Sequence, residues 1–256
     1  MNTFERFSLL HQNSSPLLLG NIWDVNSAKI FEQTGYKAIG TSSQAVARSL
    51  GYEDGENLPF DALFQLAKRV VEVVNIPFTV DMEAGYSRTV EGIIENIKKL
   101  HAIGVAGINL EDTIPGTPPQ LQPVAEFQRT LSAIAEYNSR NNMKIFLNVR
   151  TDGFLLGMPT ALAETRARIK TYENSGASGI FVPCIVNPTD IKEVVKATSL
   201  PVSVMCMPGL PGFEELKVLG VKRISIGPFV NNYINKKTEE AVGAILQDNN
   251  FSSLFK

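Results

Sequence analysis

Gly176-Ala177-Ser178-Gly179-Ile180-Phe181-Val182 is the stretch on which the fold turns. Gly176 can take a left-handed conformation and so end the amphipathic segment Pro159–Ser175 before it. The run Gly179–Val182 is nearly continuous in apolar character, which suits a parallel strand covered on both faces rather than one with a wet side. Beyond it, Asn187-Pro188-Thr189-Asp190 opens another helix, with Asn187 as cap and Pro188 in the first position. The order helix, glycine, short apolar strand, helix is one turn of a repeated βα pattern.

The same pattern extends in both directions. Strands are expected at Leu17–Ile22, Ala38–Thr41, Phe78–Asp81, Gly107–Glu111, Ile145–Val149, Gly179–Val182, Val202–Met205 and Arg223–Ile226. Helical spacing marks Phe60–Val74, Thr89–Ala102, Val124–Tyr137 and Pro188–Thr198 as well. Gly35, Gly104 and Gly220 repeat the stop at Gly176, while Pro77 and Pro201 do the same by forbidding helix continuation. Eight such units in 256 residues match the length of a (β/α)8 TIM barrel, and residues 1–256 are read as a single domain of that class. The rival is a doubly wound open sheet. It would more often carry a glycine-rich fingerprint after its first strand, and Asn21-Ile22-Trp23-Asp24 is not one.

Composition removes several functions. With 24 Lys+Arg against 26 Asp+Glu and no basic cluster, the chain lacks a nucleic-acid footprint. Met1–Leu10 carries Glu5 and Arg6, and no apolar run is long enough to span a bilayer, so no membrane role and a cytoplasmic location are expected. Two cysteines, Cys184 and Cys206, fit a reducing compartment and are read as small buried thiols. His11 and His101 lie in helical surroundings away from strand ends, which argues against a histidine zinc site.

In a TIM barrel the chemistry gathers at the C-terminal strand ends. There stand Trp23-Asp24, Thr41-Ser42-Ser43, Asp81-Met82-Glu83, Glu111-Asp112 and Arg150-Thr151-Asp152. Asp81, Glu83, Glu111 and Asp112 together would repel one another without a compensating cation, and an oxygen-rich set suits Mg2+. The alternative is that these acids cap helices or pair with Arg88 and Arg150. Arg150 has the fork that grips a carboxylate or phosphonate, or it forms a structural salt bridge to Glu111 or Asp152. Ser42 and Ser43 offer hydroxyl and N–H donors to an anion, or cap a helix. Trp23 stands at the same rim, a candidate for substrate contact or for packing. The loop Leu50–Glu56 brings Asp54 near the rim, and its glycines allow movement.

Taken in order, Thr41-Ser42-Ser43 with Ser49-Leu50-Gly51-Tyr52-Glu53-Asp54, then Asp81-Met82-Glu83-Ala84-Gly85-Tyr86, then Gly107-Ile108-Asn109-Leu110-Glu111-Asp112, then Asn148-Val149-Arg150-Thr151-Asp152, resembles the isocitrate lyase/phosphoenolpyruvate mutase superfamily. The resemblance runs from about Leu17 to Phe229. It implies a (β/α)8 barrel with an exchanged eighth helix, here Val230–Asn249, in a homo-dimer or homo-tetramer. It implies Mg2+ and a small α-keto or phosphono acid handled through an enolate-like state. By the same resemblance Asp81 is the main metal ligand, with Glu83, Glu111 and Asp54 holding its waters, and Asp81, Glu83 and Glu111 form the metal set. Ser42 and Ser43 form the anion-binding pair, Arg150 balances substrate charge, and Ser42, Asp54 and Arg150 form the catalytic set.

Two departures narrow the expectation. Lyase members carry a Lys-Lys-Cys-Gly-His run after the fourth strand and mutase members a Lys-Thr-Asn stretch. This chain has Thr113-Ile114-Pro115-Gly116-Thr117-Pro118-Pro119-Gln120, a lid-like segment without a titratable side chain. Pro183 stands where mutases have His and lyases Glu. The leading expectation is therefore a Mg2+-dependent lyase cleaving a C–C bond of an α-keto acid, with oxaloacetate-like decarboxylation the simplest case. P–C bond chemistry on a phosphonopyruvate-like acid, or a catalytically degenerate barrel that binds a keto acid as sensor or scaffold, are the alternatives.

Overall fold

Short strands that are apolar on both faces need cover on both, and a closed parallel barrel inside a ring of helices supplies it. The computed structural model, which describes residues 1–116 and 118–255, has this architecture. In chain order the elements are α1 (Thr3–Leu10), β1 (Leu17–Ile22), α2 (Val25–Gln33), β2 (Ile39–Thr41), α3 (Ser43–Ser49), α4 (Phe60–Val71), β3 (Phe78–Asp81), α5 (Val90–Ala102) and β4 (Gly107–Glu111). A two-stranded ribbon follows, β5 (Thr113–Ile114) against β6 (Gln120–Leu121). Then come α6 (Val124–Arg140), β7 (Phe146–Arg150), α7 (Ala161–Glu173), β8 (Gly179–Phe181), α8 (Pro188–Lys196), β9 (Val202–Met205), α9 (Phe213–Leu219), β10 (Arg223–Ser225) and α10 (Phe229–Asp248).

The barrel closes in the order β1-β10-β9-β8-β7-β4-β3-β2, all parallel. All eight expected strands are present, four with the expected bounds and four with ends moved by one residue; β7 extends to include Arg150. Capping follows the sequence signals. Asn187 Oδ1 accepts from the Thr189 N–H at 2.8 Å, with Pro188 in the first turn. Gly176 has φ of 99°, and a Cβ there would stand 2.4 Å from the Ala135 Cβ, so both conformation and space demand glycine. The lid-like segment is partly ordered as the β5–β6 ribbon; its Thr117 lies outside the described residues.

Two apolar cores result. The larger lies between strands and helices. The smaller closes the N-terminal end of the barrel, where Phe7 of α1 packs on Leu17, Leu19, Ala38, Ala106 and Phe146. Helix α1, absent from the sequence reading, is thus a plug. His11 at its end stacks on Phe146 with ring centroids 4.4 Å apart, and its Nδ1–H donates to the Phe7 carbonyl at 2.9 Å. Both histidines stand off the strand ends, as expected. Between plug and rim the barrel interior is polar: Thr79, Asn109, Asn148, Ser203 and Arg223 are all buried.

Burial, then the nearby Arg223, push the His11 pKa from 6.5 down to about 3. The native state therefore holds His11 neutral while the unfolded chain protonates it below about 6.5. The contribution is complete above that pH and is lost as pH falls toward 3, at up to about 1.4 kcal/mol per pH unit. Denaturant titrations of wild type and His11→Phe between about pH 6.5 and 4 should show a shallower decline in the variant; parallel declines would contradict the buried neutral ring.

Candidate active site

At the C-terminal rim, strand register sets the heights of the side chains. Glu111 pairs with Arg150 across β4 and β7, and Asp81 with Asn109 across β3 and β4. These ends surround a cavity of about 170 Å³. Ser42, Ser43, Gln44, Asp54, Asp81, Asn109 and Arg150 give its lining polar and charged groups, and Leu155, Phe181, Pro183 and Met205 give it apolar ones, with Phe181 the register partner of Arg150 across β7 and β8. Wider surface grooves at the opposite end, one beside Lys37 and one beside His11, gather no acid.

Arg150 is clamped. Its Nη1 lies 2.8 Å from Glu111 Oε2, and its Nε donates to Asp152 Oδ1 at 2.6 Å. Asp152 is held in turn by the Thr113 hydroxyl, which donates to Oδ2 at 2.6 Å. The salt-bridge alternative for Arg150 is therefore realised with both acids, yet its side chain still reaches the cavity. Burial works against its charge, but Glu111, Asp152 and Asp81 outweigh it and hold its pKa well above the ordinary value.

The acids divide into separate groups. Asp112 turns away from the cavity: its Oδ2 accepts from the Tyr172 hydroxyl at 2.7 Å and from Arg168 Nη1 at 3.1 Å. Sequence reasoning placed it with the metal set because adjacent strand positions carry no label for which face they take. Glu83 is fixed by the Tyr86 hydroxyl, donating to Oε1 at 2.8 Å, and by the Glu56 N–H, donating to Oε2 at 2.9 Å. Glu56 also accepts from the Tyr86 N–H at 2.6 Å and pairs with Arg88. Arg88 thus pairs with an acid of the Leu50–Glu56 loop rather than with the strand-end set, and the expected movement of that loop is opposed by the tie at Glu56. Glu56, Glu83 and Tyr86 all have positive φ, at 61°, 47° and 55°. Such backbone is costly for residues with a Cβ and persists where neighbours over-determine it, as this ring of hydrogen bonds does.

Burial raises the pKa of Asp81, opposed by Arg150 and reinforced by Asp54. Burial, then Asp54 and Asp81, push Glu83 up to about 7. Glu111 is raised well above its ordinary value, by burial against the pull of Arg150. Such a site gains from a cation. Asp81 Oδ1 is buried with no hydrogen-bond partner, an acceptor left free for one. Among the described residues no three His, Cys, Asp or Glu side chains gather closely enough for a direct ligand shell. That donor set fits an ion such as Mg2+, which takes one or two carboxylates and retains waters.

Other expected residues fall as follows. Ser42 caps α3, its Oγ accepting from the Ala45 N–H at 3.4 Å, and lines the cavity as well. Ser43 and Asp54 line it. Trp23 does not; it packs on the apolar core, because the N–H groups of Trp23 and Asp24 both donate to Ser27 Oγ and turn the chain into α2. Met82 fills core space, whereas Met205 lines the cavity. Cys184 is half-buried and Cys206 is exposed, so the expectation of a buried thiol fails at Cys206, where alternation along β9 sends Met205 inward and its neighbour out. Asn21 was not anticipated. Its Oδ1 accepts from the N–H groups of Ile226 and Gly227 at 2.8 and 2.9 Å, closing the rim between β1 and β10.

Comparison with known proteins agrees with this architecture. The chain is 33% identical over 221 residues to an uncharacterised protein of Mycobacterium tuberculosis, covering 86% of this chain and 81% of that one. It is 26% identical over 215 residues to an oxaloacetate decarboxylase of a Bradyrhizobium species, covering 81% and 71% of the two chains. A Burkholderia cenocepacia structure provisionally named a phosphonomutase superposes with a TM-score of 0.89 at 34% identity, over 94% of this chain and 99% of the other. The fold is also that of the phosphoenolpyruvate phosphomutase of Streptomyces platensis, with a TM-score of 0.88 at 18% identity, over 99% and 90% of the chains. The family profile described as phosphoenolpyruvate phosphomutase matches residues 7–246. Over that span the chain belongs to the phosphoenolpyruvate mutase/isocitrate lyase superfamily, whose enzymes are magnesium-dependent lyases and mutases.

Proposed function

We propose that the chain is a Mg2+-dependent lyase that cleaves a C–C bond of a small α-keto acid, with decarboxylation of an oxaloacetate-like acid as the simplest reaction. The observation that carries this is the mixed lining of the cavity. Arg150, Ser42 and Ser43 offer an anionic keto-acid end its donors, while Leu155, Phe181, Pro183 and Met205 have no side-chain donor to offer. A carboxylate pressed against those apolar side chains is destabilised relative to neutral CO2, which favours its departure. The electron pair left behind forms an enolate at the keto-acid end. When bound near Asp81, Glu83 and Glu111, the metal supplies Lewis-acid stabilisation of that enolate oxygen. Arg150, held flat by Glu111 and Asp152, orients the substrate carboxylate. The ribbon after β4 has no side chain to act as acid or base, so water supplies the proton that turns enolate into product.

The resemblance to oxaloacetate decarboxylases supports this reading. A phosphonate dianion would ask for more than Arg150, the one arginine among the described residues that lines the cavity, which disfavours P–C chemistry. Two roles complete the reading. Asp54, at the cavity edge, holds metal-bound waters. Helix α10 packs against a second copy of the chain, because Tyr233, Ile234, Val242 and Leu246 are exposed along it. Sedimentation equilibrium should give a dimer or tetramer; a monomer at micromolar concentration would remove that role.

With Mg2+ and oxaloacetate, pyruvate should form faster than with the metal alone, and chelator should abolish the difference. Phosphate release from phosphonopyruvate instead would replace C–C by P–C chemistry, and keto-acid binding without turnover would mark a scaffold. Asp81→Ala should lose activity while its melting curve stays cooperative, and Arg150→Lys should lose at least about tenfold, since a point charge does not replace a fork. Near-wild-type turnover in either variant would remove that residue from its role.

Glu83 yields a pH signature. Its pKa is raised from 4.5 to about 7, so the fold favours the protonated acid. Stability of the metal-free protein should decline as pH rises from 4.5 toward 7, and Mg2+ affinity should climb over the upper part of that window, where the ion no longer displaces a proton. Calorimetric titration at several pH values should show this climb flattened in Glu83→Gln; an equal slope would assign the proton elsewhere.

A further inference from the structure

One charged side chain in the barrel has no place in the reading above. Arg223 opens β10 and points into the interior, 1% exposed. Among the described residues it makes no ion pair, and its Nε and Nη1 have no hydrogen-bond partner. Its Cζ lies 5.9 Å from the centre of the Phe7 ring on the plug helix. Burying a cation without a counter-ion is expensive, and a methionine would fill the same space without that penalty. Burial lowers its pKa only to about 10, so the charge persists at neutral pH.

Its one polar contact among the described residues is to Asn109, whose Oδ1 accepts from Arg223 Nη2 at 3.4 Å and from Asn148 Nδ2 at 2.9 Å. An arginine carries donors only, so the edge of the Asn109 amide that faces it must be oxygen. The orientation of this amide, often a matter of assignment, is here dictated by chemistry. Asn109 sits at the centre of β4, paired in register with Asp81 on one side and Asn148 on the other, and it lines the cavity. With Oδ1 committed to the interior, Nδ2 is left as the free donor, without a protein acceptor among the described residues. A donor whose own oxygen accepts from a cation is polarised and strengthened.

We propose that Asn109 is a substrate-binding residue whose amide N–H meets the anionic oxygen of the bound keto acid or enolate, and that Arg223 is a positioning residue that locks this amide from beneath. The proposal rests on the cavity being a keto-acid site. Its chemistry is that of a donor added on the barrel axis, distinct from the fork of Arg150 at the wall. Arg223 acts only through Asn109, and its fixed charge helps to offset the acids above it.

Oxalate, a stand-in for the pyruvate enolate, is the probe, measured by calorimetry on the full chain with Mn2+ saturating; Mn2+ affinity is measured separately. Asn109→Asp keeps the size and the interior oxygen that accepts both hydrogen bonds and gives Arg223 a counter-ion, so its melting temperature should equal or exceed wild type. It replaces the cavity donor by a carboxylate oxygen, and oxalate should bind about ten- to a hundredfold more weakly, while Mn2+ affinity holds or rises. Arg223→Met should weaken oxalate severalfold, and Arg223→Lys, which returns one donor, should recover part of the loss. Wild type that fails to bind oxalate with metal present would overturn the keto-acid reading and this proposal with it. Wild type that binds, with Asn109→Asp within about twofold of it, would overturn the proposal alone, as would a parallel loss of oxalate and Mn2+ affinity in both variants.

Discussion

Arg150, held between Glu111 and Asp152, is the contact on which the rim depends. Five acids are buried among the described residues, Asp81, Glu83, Glu111, Asp112 and Asp152, and all stand at strand ends or just beyond them on one side of the barrel. Arg150 and Arg168 answer three of these acids directly, Glu111, Asp152 and Asp112, and Arg168 pairs with Glu164 of its own helix as well. Charges this close in a poorly solvated site are tolerable only with such pairing, and the remainder is relieved by protonation or by a bound cation. The raised pKa values of Asp81, Glu83 and Glu111 express that unresolved balance.

The surroundings of the clamp are built to keep it still. Thr113 fixes Asp152 from the ribbon, Asp112 takes the Asp152 N–H at 3.2 Å, and Asp112 is itself anchored by Arg168 and Tyr172 on α7. A side chain on one element is thus oriented by groups on three others. On the facing side, Glu56, Glu83 and Tyr86 hold one another in left-handed backbone that none of them would adopt alone. Preorganisation of this kind puts the cost of ordering charges into folding, so that binding does not have to meet it. The polar barrel interior extends the same logic downward, from Asn109 and Asn148 to Arg223 above the Phe7 plug.

The strand beside the clamp distinguishes this site by what it omits. Pro183 and Phe181 occupy β8 and the turn after it, where a titratable group would face the substrate, and the ribbon after β4 offers none. The proposed decarboxylation accordingly draws on charge stabilisation and desolvation rather than on a protein acid placed at the leaving group.

How much of this was legible in the chain can be argued from particular residues. The eight strands were, because doubly covered parallel strands require unbroken apolar runs such as Ile145–Val149 and because stops such as Gly176 have few chemical substitutes. The location of Asp81, Glu111 and Arg150 at one rim followed, since parallel register carries every strand end to the same face. The plug helix, the diversion of Asp112 to Arg168 and Tyr172, the turning of Trp23 into the core and the exposure of Cys206 did not. Each depends on partners far away in sequence or on which face of the backbone a side chain takes, and neither leaves a local pattern. Arg223 is the clearest case: in sequence it is one cation beside Lys222, and only the closure of β10 against β1 and β9 puts it inside the barrel with a single amide to hold. Local propensity and periodicity determined the barrel and its acid rim; the tertiary structure alone decided which charges are paired, which are left free and which face the cavity, because those are properties of contacts between strands that the chain brings together only when it closes.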